Sequence, residues 1–193
     1  MHGTEAPTEI TQPSAMVNRK NKSRLYLIFH HQPQTGPMEE GIKFHTTVNV
    51  APKKPAPPID QSWRFHLTHA MRRGVPTLQY QGEQVVNSEA TMVAAVLVCK
   101  LDPGITGIGL SMLLREVPIF PLGDGSEAGQ WAKDALRLLV ERDVIPPLRV
   151  NIDDIWEHGH RFAESVQRKA GRTIHTCDIY GTEIKSEIPR TSS

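Results

Sequence analysis

The feature that most constrains the fold is a change of hydrophobic period partway along the chain. Up to residue 101 apolar residues come in short runs or alternate with polar ones, and from residue 127 they recur at helical spacing. Arg24 to His30 has the β-branched and aromatic content of a buried strand, and Lys43 to Val50 alternates well enough for a second. In Trp63 to His69, Trp63, Phe65 and Leu67 point one way while Arg64, His66 and Thr68 point the other. Leu78 to Val86 is a weaker strand. Thr91 to Leu101 is the most apolar and suits the sheet centre. After the break at Asp102-Pro103-Gly104, Ile105 to Arg115 reads as a short helix ended by Pro118. Glu127 to Asp143 is a longer one, with Trp131, Ala135, Leu138 and Leu139 in one stripe, stopped by Pro146-Pro147. Asp153 to Ala170 follows, with Ile155, Trp156, Phe162 and Val166 inward, Asn151 or Asp153 as cap and Gly171 as stop.

Strands first and helices afterwards, with no repeat, predict an α+β domain: a largely antiparallel sheet with helices packed on one side. The expected domain runs from 23 to 171. Residues 1–22 read as a disordered polar tail and 172–193 as a C-terminal tail with no convincing period. Two connections are marked by proline and glycine, at 31–37 and at Lys53 to Pro58.

Composition narrows the function classes. At 193 residues the chain can bury a real core. With 22 Lys+Arg against 21 Asp+Glu it has no basic field for nucleic acid. Its longest apolar run, Met92 to Cys99, is far short of the roughly 20 residues a membrane span needs. No basic segment leading into an apolar run opens the chain, so a signal peptide is not expected. Cys99 and Cys177 make no disulfide framework: Cys99 reads as a buried small hydrophobe and Cys177 as part of the polar tail. A reducing, cytoplasmic setting is the expectation.

Nine histidines raise the question of metal, but no HExxH or CxxC spacing occurs, and the expected metal and cofactor content is none. No Gly-x-Ser-x-Gly elbow or ordered GxGxxG loop is present either. His45 differs from the other histidines because it sits at mid-strand among apolar residues. It is either a hydrogen-bonded core histidine or a functional group that needs a partner. Partners are sought where the loop Gly125-Ser126 enters the long helix: Asp124, Ser126, Glu127 and Gln130. Ser126 there also suits an N-cap, and Glu127 suits the helix dipole. Trp131, one turn in, is a core residue or the wall of a ligand pocket.

Segment by segment the chain resembles a family of uncharacterised fungal proteins whose core is papain-like, in the permuted order of NlpC-type peptidases and lecithin:retinol acyltransferase relatives. The matching segments are Arg24-Leu25-Tyr26; Phe44-His45-Thr46-Thr47-Val48 followed by Ala51-Pro52-Lys53; Arg64-Phe65-His66; Val96 to Leu101; Leu114-Arg115-Glu116-Val117-Pro118-Ile119; and Glu127 to Leu136. The resemblance implies a base on the His45 strand facing a nucleophile at the helix start. There the family shows Asn-Cys, and this chain has Glu127-Ala128. A thiolate at a helix start beside a histidine is a strong nucleophile, whereas an alanine methyl cannot attack.

Three functions follow as expectations. The first is a repurposed pocket with His45, Glu127 and Gln130 as working groups and Trp131, Ala128, His66 and Ser126 as substrate-binding walls. Such a pocket would take a small apolar molecule and act as a cyclase or isomerase, including a Diels–Alder-type pericyclase of secondary metabolism. Orientation, and a hydrogen bond from His45 or Gln130 to a carbonyl, would supply the catalysis. The second is a non-catalytic binding module with a collapsed cleft. The third is a hydrolase that uses Ser126 or Glu127 with His45.

Overall fold

Alternation along the first strand sets the two faces of the molecule. In β1 (Ser23–His31), Leu25, Leu27 and Phe29 enter the larger core cluster, while Tyr26 and Ile28 enter a smaller one on the other face. A computed structural model describes residues 22–31, 44–53, 62–85, 91–122 and 125–189. The expected N-terminal tail up to residue 21, the connections at 32–37 and 54–58, and Asp124 lie outside the described residues.

The further strands are β2 (Phe44–Pro52), β3 (Ser62–Arg72), β4 (Val75–Val85), β5 (Met92–Lys100), β6 (His175–Cys177) and β7 (Glu183–Ile184). They form a seven-stranded sheet in the order β4-β3-β2-β1-β5-β6-β7. Every pairing is antiparallel except β5 with β6. Three helices join that parallel pair: α1 (Gly107–Leu114), α2 (Glu127–Glu141) and α3 (Ile152–Val166). Each contributes buried residues to the same cluster as Leu25, Leu27 and Phe29, so all three pack on one face. The fold is therefore α+β, with a mostly antiparallel open sheet layered by helices on one side. None of these helices is long and apolar enough to cross a membrane.

The helices follow the stripes read from the sequence. Trp131, Ala135 and Leu139 are buried in α2, and Ile155, Phe162 and Val166 in α3. Asn151 is the N-cap of α3, its side chain accepting from the Asp153 N–H at 2.9 Å. Asn151→Ala is expected to lower stability by about 1 kcal/mol, read from chemical denaturation; an unchanged midpoint would show that water replaces the cap.

The expected C-terminal tail is a correction. Residues 172–189 are part of the fold: β6 and β7 extend the sheet, and Ile174 and Ile188 cover Tyr26, Ile28 and Ala95 on the face without helices. Arg24 ties the segment to β1 through an ion pair with Glu187 at 2.7 Å. Cys177, read as a tail residue, is fully buried. Strands of three and two residues are too short to display a period, so their sequence resembles a tail.

Candidate functional site

The site begins where two strands part. Among the described residues β2 and β3 pair only at Val48↔Phe65, Asn49↔Arg64 and Val50↔Trp63, whereas β3 and β4 pair from Ser62↔Val85 to Arg72↔Val75. Beyond Val48 and Phe65 the two strands diverge, and a cavity of about 540 Å³ occupies the fork. Its lining includes His30, His31, His45, His66 and His69, with Arg64, Leu67 and Leu78, and with Glu127 and Ala128 from the first turn of α2.

The faces around the fork follow from alternation. Thr46 accepts a hydrogen bond from Trp156 Nε1 of α3 at 3.2 Å, so it points to the helices. His45 and Thr47 therefore leave β2 on the other face, where Arg64 and His66 also stand. The fork lets one cavity reach both His45 and the start of α2.

Two polar chains line this cavity. His45 Nε2 lies 3.3 Å from His66 Nδ1, bridging the fork. Behind His66, its Nε2 is 3.4 Å from Glu83 Oε1, an ion-pair distance off the line of a hydrogen bond. Glu83 Oε1 is held by Arg64 Nε at 3.0 Å and Nη2 at 2.6 Å, and Oε2 accepts from Gln81 at 3.0 Å. In the second chain the Thr47 hydroxyl donates to Asn49 Oδ1 at 2.7 Å. Its one proton is thereby used, so His30 Nε2, 3.1 Å away, is the donor to Thr47. His30 Nδ1 then accepts from the Thr91 hydroxyl at 3.1 Å.

Burial is the main electrostatic force here. It pushes His30 down to about 3 and His45 to about 4, with further lowering from neighbouring histidines and Arg64. His66 is also lowered, by burial first and Arg64 second, against the opposing pull of Glu83. Burial works to raise Glu83, but its bonds to Arg64 and the nearby His66 outweigh it and hold the carboxyl below its usual range. His30, His45 and His66 thus present neutral imidazoles to the cavity at neutral pH. Burial pushes the thiols of Cys99 and Cys177 up to about 11 and about 12, so neither is a thiolate there. Among the described residues no three His, Cys, Asp or Glu side chains stand together so as to hold a metal ion.

Of the residues singled out from sequence, the cavity brings together His45, His66, Glu127 and Ala128. Ser126 and Gln130 line a separate hollow of about 180 Å³ with Gly129, Lys133 and Trp156. The Gln130 side-chain amide donates to Asp134 at 3.1 Å. Trp131 is 2 % exposed and packs near Tyr80, ring centroids 5.6 Å apart, so it belongs to the core and not to a pocket wall. The reason is helical geometry: the stripe that buries Ala135 and Leu139 also carries Trp131. Glu127 accepts from the Leu122 N–H at 3.1 Å.

Sequence reasoning missed Glu83, Arg64, His30 and Thr47. Arg64 and His66 on the polar face of one strand were a usable signal. Glu83 was not, because only the pairing Arg64↔Glu83 brings it there.

Fold and site define the class: a one-sided α+β domain with a histidine-lined cavity at a fork in its sheet. Residues 22–178 match DUF6914, a family of unknown function, and the chain belongs to that family. Searches of curated proteins and of solved structures give no match.

Proposed function

We propose that the cavity binds a small molecule and turns it over without a covalent intermediate, as an isomerase or cyclase. The observation that carries this is the cavity itself. At about 540 Å³ it lies within the range of small-molecule sites, roughly 300–1,000 Å³, and it runs from neutral imidazoles to the Ala128 methyl. Leu67, Leu78 and Ala128 suit the apolar part of a ligand, and the histidines suit one polar group. Holding a flexible molecule in a reactive fold needs no nucleophile, and orientation alone can lower a barrier by several kcal/mol. A Diels–Alder-type ring closure of a secondary-metabolite intermediate asks least of such a site. The finer fold reading, a permuted papain-like core with its nucleophile replaced, is supported by His45 on β2 and Ala128 at the start of α2 lining one cavity.

Two observations bear on the other readings. His45, held near 4, is a weak base at neutral pH, which favours the binding module; the open cavity opposes the collapsed cleft that reading expects. The hydrolase reading asks Ser126 or Glu127 to pair with His45. The His45 ring is bonded to His66 instead, and Ser126 lines the other hollow.

Incubation of the protein with linear polyenes and enones able to cyclise, each with and without a hydroxyl group, is the test. Product ratios should change, and Ala128→Leu, which fills the cavity wall, should cut kcat/KM by about 100-fold with little change in melting temperature. Rates and product ratios identical to those without protein across the set sink the catalytic reading.

A further inference from the structure

We infer that Glu83 sets the hydrogen-bonding polarity of the cavity, making His45 Nδ1 a proton acceptor, so that the ligand is a molecule presenting an O–H or N–H donor. This deepens the reading above and rests on the cavity being the ligand site.

The polarity is set from the carboxylate inward. Glu83 receives donors from Arg64 and Gln81, as an ionised carboxylate does. The face it turns to His66 has no proton to give, and His66 Nε2 stands 3.4 Å from Oε1. Even off the hydrogen-bond line, a negative oxygen at 3.4 Å favours a positive N–H over a lone pair on that nitrogen, so Nε2 carries the proton. In a neutral ring His66 Nδ1 is then bare, and it can only accept from His45 Nε2, 3.3 Å away. A neutral His45 that donates through Nε2 has a lone pair on Nδ1. Among the described residues no hydrogen bond reaches that nitrogen, and the ring lines the cavity. Burial holds His45 and His66 below their ordinary values, which keeps this arrangement through the neutral range.

The consequence is specific. An isolated imidazole can swap tautomers to suit either a donor or an acceptor, whereas this one is committed by a carboxylate two residues away in the chain of contacts. The expected donation from His45 to a carbonyl gives way to acceptance from a hydroxyl or an N–H. Glu83 acts through His66 and touches no ligand; it is a positioning residue.

Long-range proton–nitrogen NMR of the histidine rings in the full chain at pH 7 is the test. His45 and His66 should both show the Nε2–H form with unprotonated Nδ1, and a Nδ1–H form of His45 would overturn the proposal. In Glu83→Ala both rings should move to mixed tautomers while His30, held by Thr47 and Thr91, stays as it is. Unchanged tautomers would remove Glu83 from the account, and the measurement on the unsubstituted chain decides the polarity even if this variant does not fold. With indole and benzofuran as probes of one shape, indole should bind about fivefold more tightly and shift His45 Nδ1. Equal affinities, or a preference for benzofuran, count against it. None of these readouts requires turnover, so they stand or fall apart from the catalytic reading.

Discussion

Lowering the pH from 7 to 5 should remove about 4 kcal/mol of folding stability through His30 and His45 alone. In the folded chain these rings titrate near 3 and 4; in the unfolded chain they titrate near 6.5. Above about 6.5 neither state binds a proton, and the stability linked to the neutral rings is fully present. As pH falls from 6.5 toward the folded values, the unfolded chain gains protons that the folded chain refuses, and that stability is lost. Repulsion from the neighbouring His45 ring is part of the His30 shift. The loss of about 4 kcal/mol is a large share of the roughly 5–15 kcal/mol that holds a domain together. Urea unfolding at pH 7, 6 and 5 checks it. His30→Gln, which removes one of the two groups, should flatten the dependence by about half. Equal urea midpoints at pH 7 and pH 5 would mean that the rings are not held neutral.

Gly159→Val should be strongly damaging, lowering stability by more than about 3 kcal/mol and the melting temperature by about 6–12 °C. Gly159 lies on the face of α3 against the sheet centre. A Cβ there would meet Val96 Cγ2 at 2.5 Å and the Phe29 ring at 2.6 and 2.9 Å. Both neighbours are fully buried, and the Phe29 ring is fixed by Phe44, Trp156 and His160 around it. Neither can give way, so the helix must lift. Gly159→Ala distinguishes packing from propensity: replacing a helical glycine by alanine ordinarily adds about 1 kcal/mol. Here the sign should reverse, and a melting temperature at or above that of the unsubstituted chain would show that the close approach is not sustained.

Much of the fold was open to reading because its signals are local. The five long strands and three helices each carry their own period, and breakers such as Pro103-Gly104 and Pro146-Pro147 separate them. The segment after Arg172 failed that reading because β6 and β7 owe their existence to neighbours: Thr176 and Cys177 pair with Ala95 and Val96 on one side and with β7 on the other. Trp131 shows the limit at the site. Its place one turn from the start of α2 fits a pocket wall and a core position equally well, and only packing against Tyr80 and the sheet decides for the core.

The sequence by itself determined the α+β class, the inward stripes of α2 and α3, the absence of a thiol at residue 128 and a histidine at mid-strand on β2. Only the tertiary structure decided that β2 and β3 part beyond Val48 and Phe65, that His45 meets His66 across that gap, and that Glu83 stands behind them. The difference is physical. A side chain's face follows from the period of its own strand, but its partners depend on strand order and register. Those are fixed by burial of the whole sheet beneath its helices, which no single segment encodes.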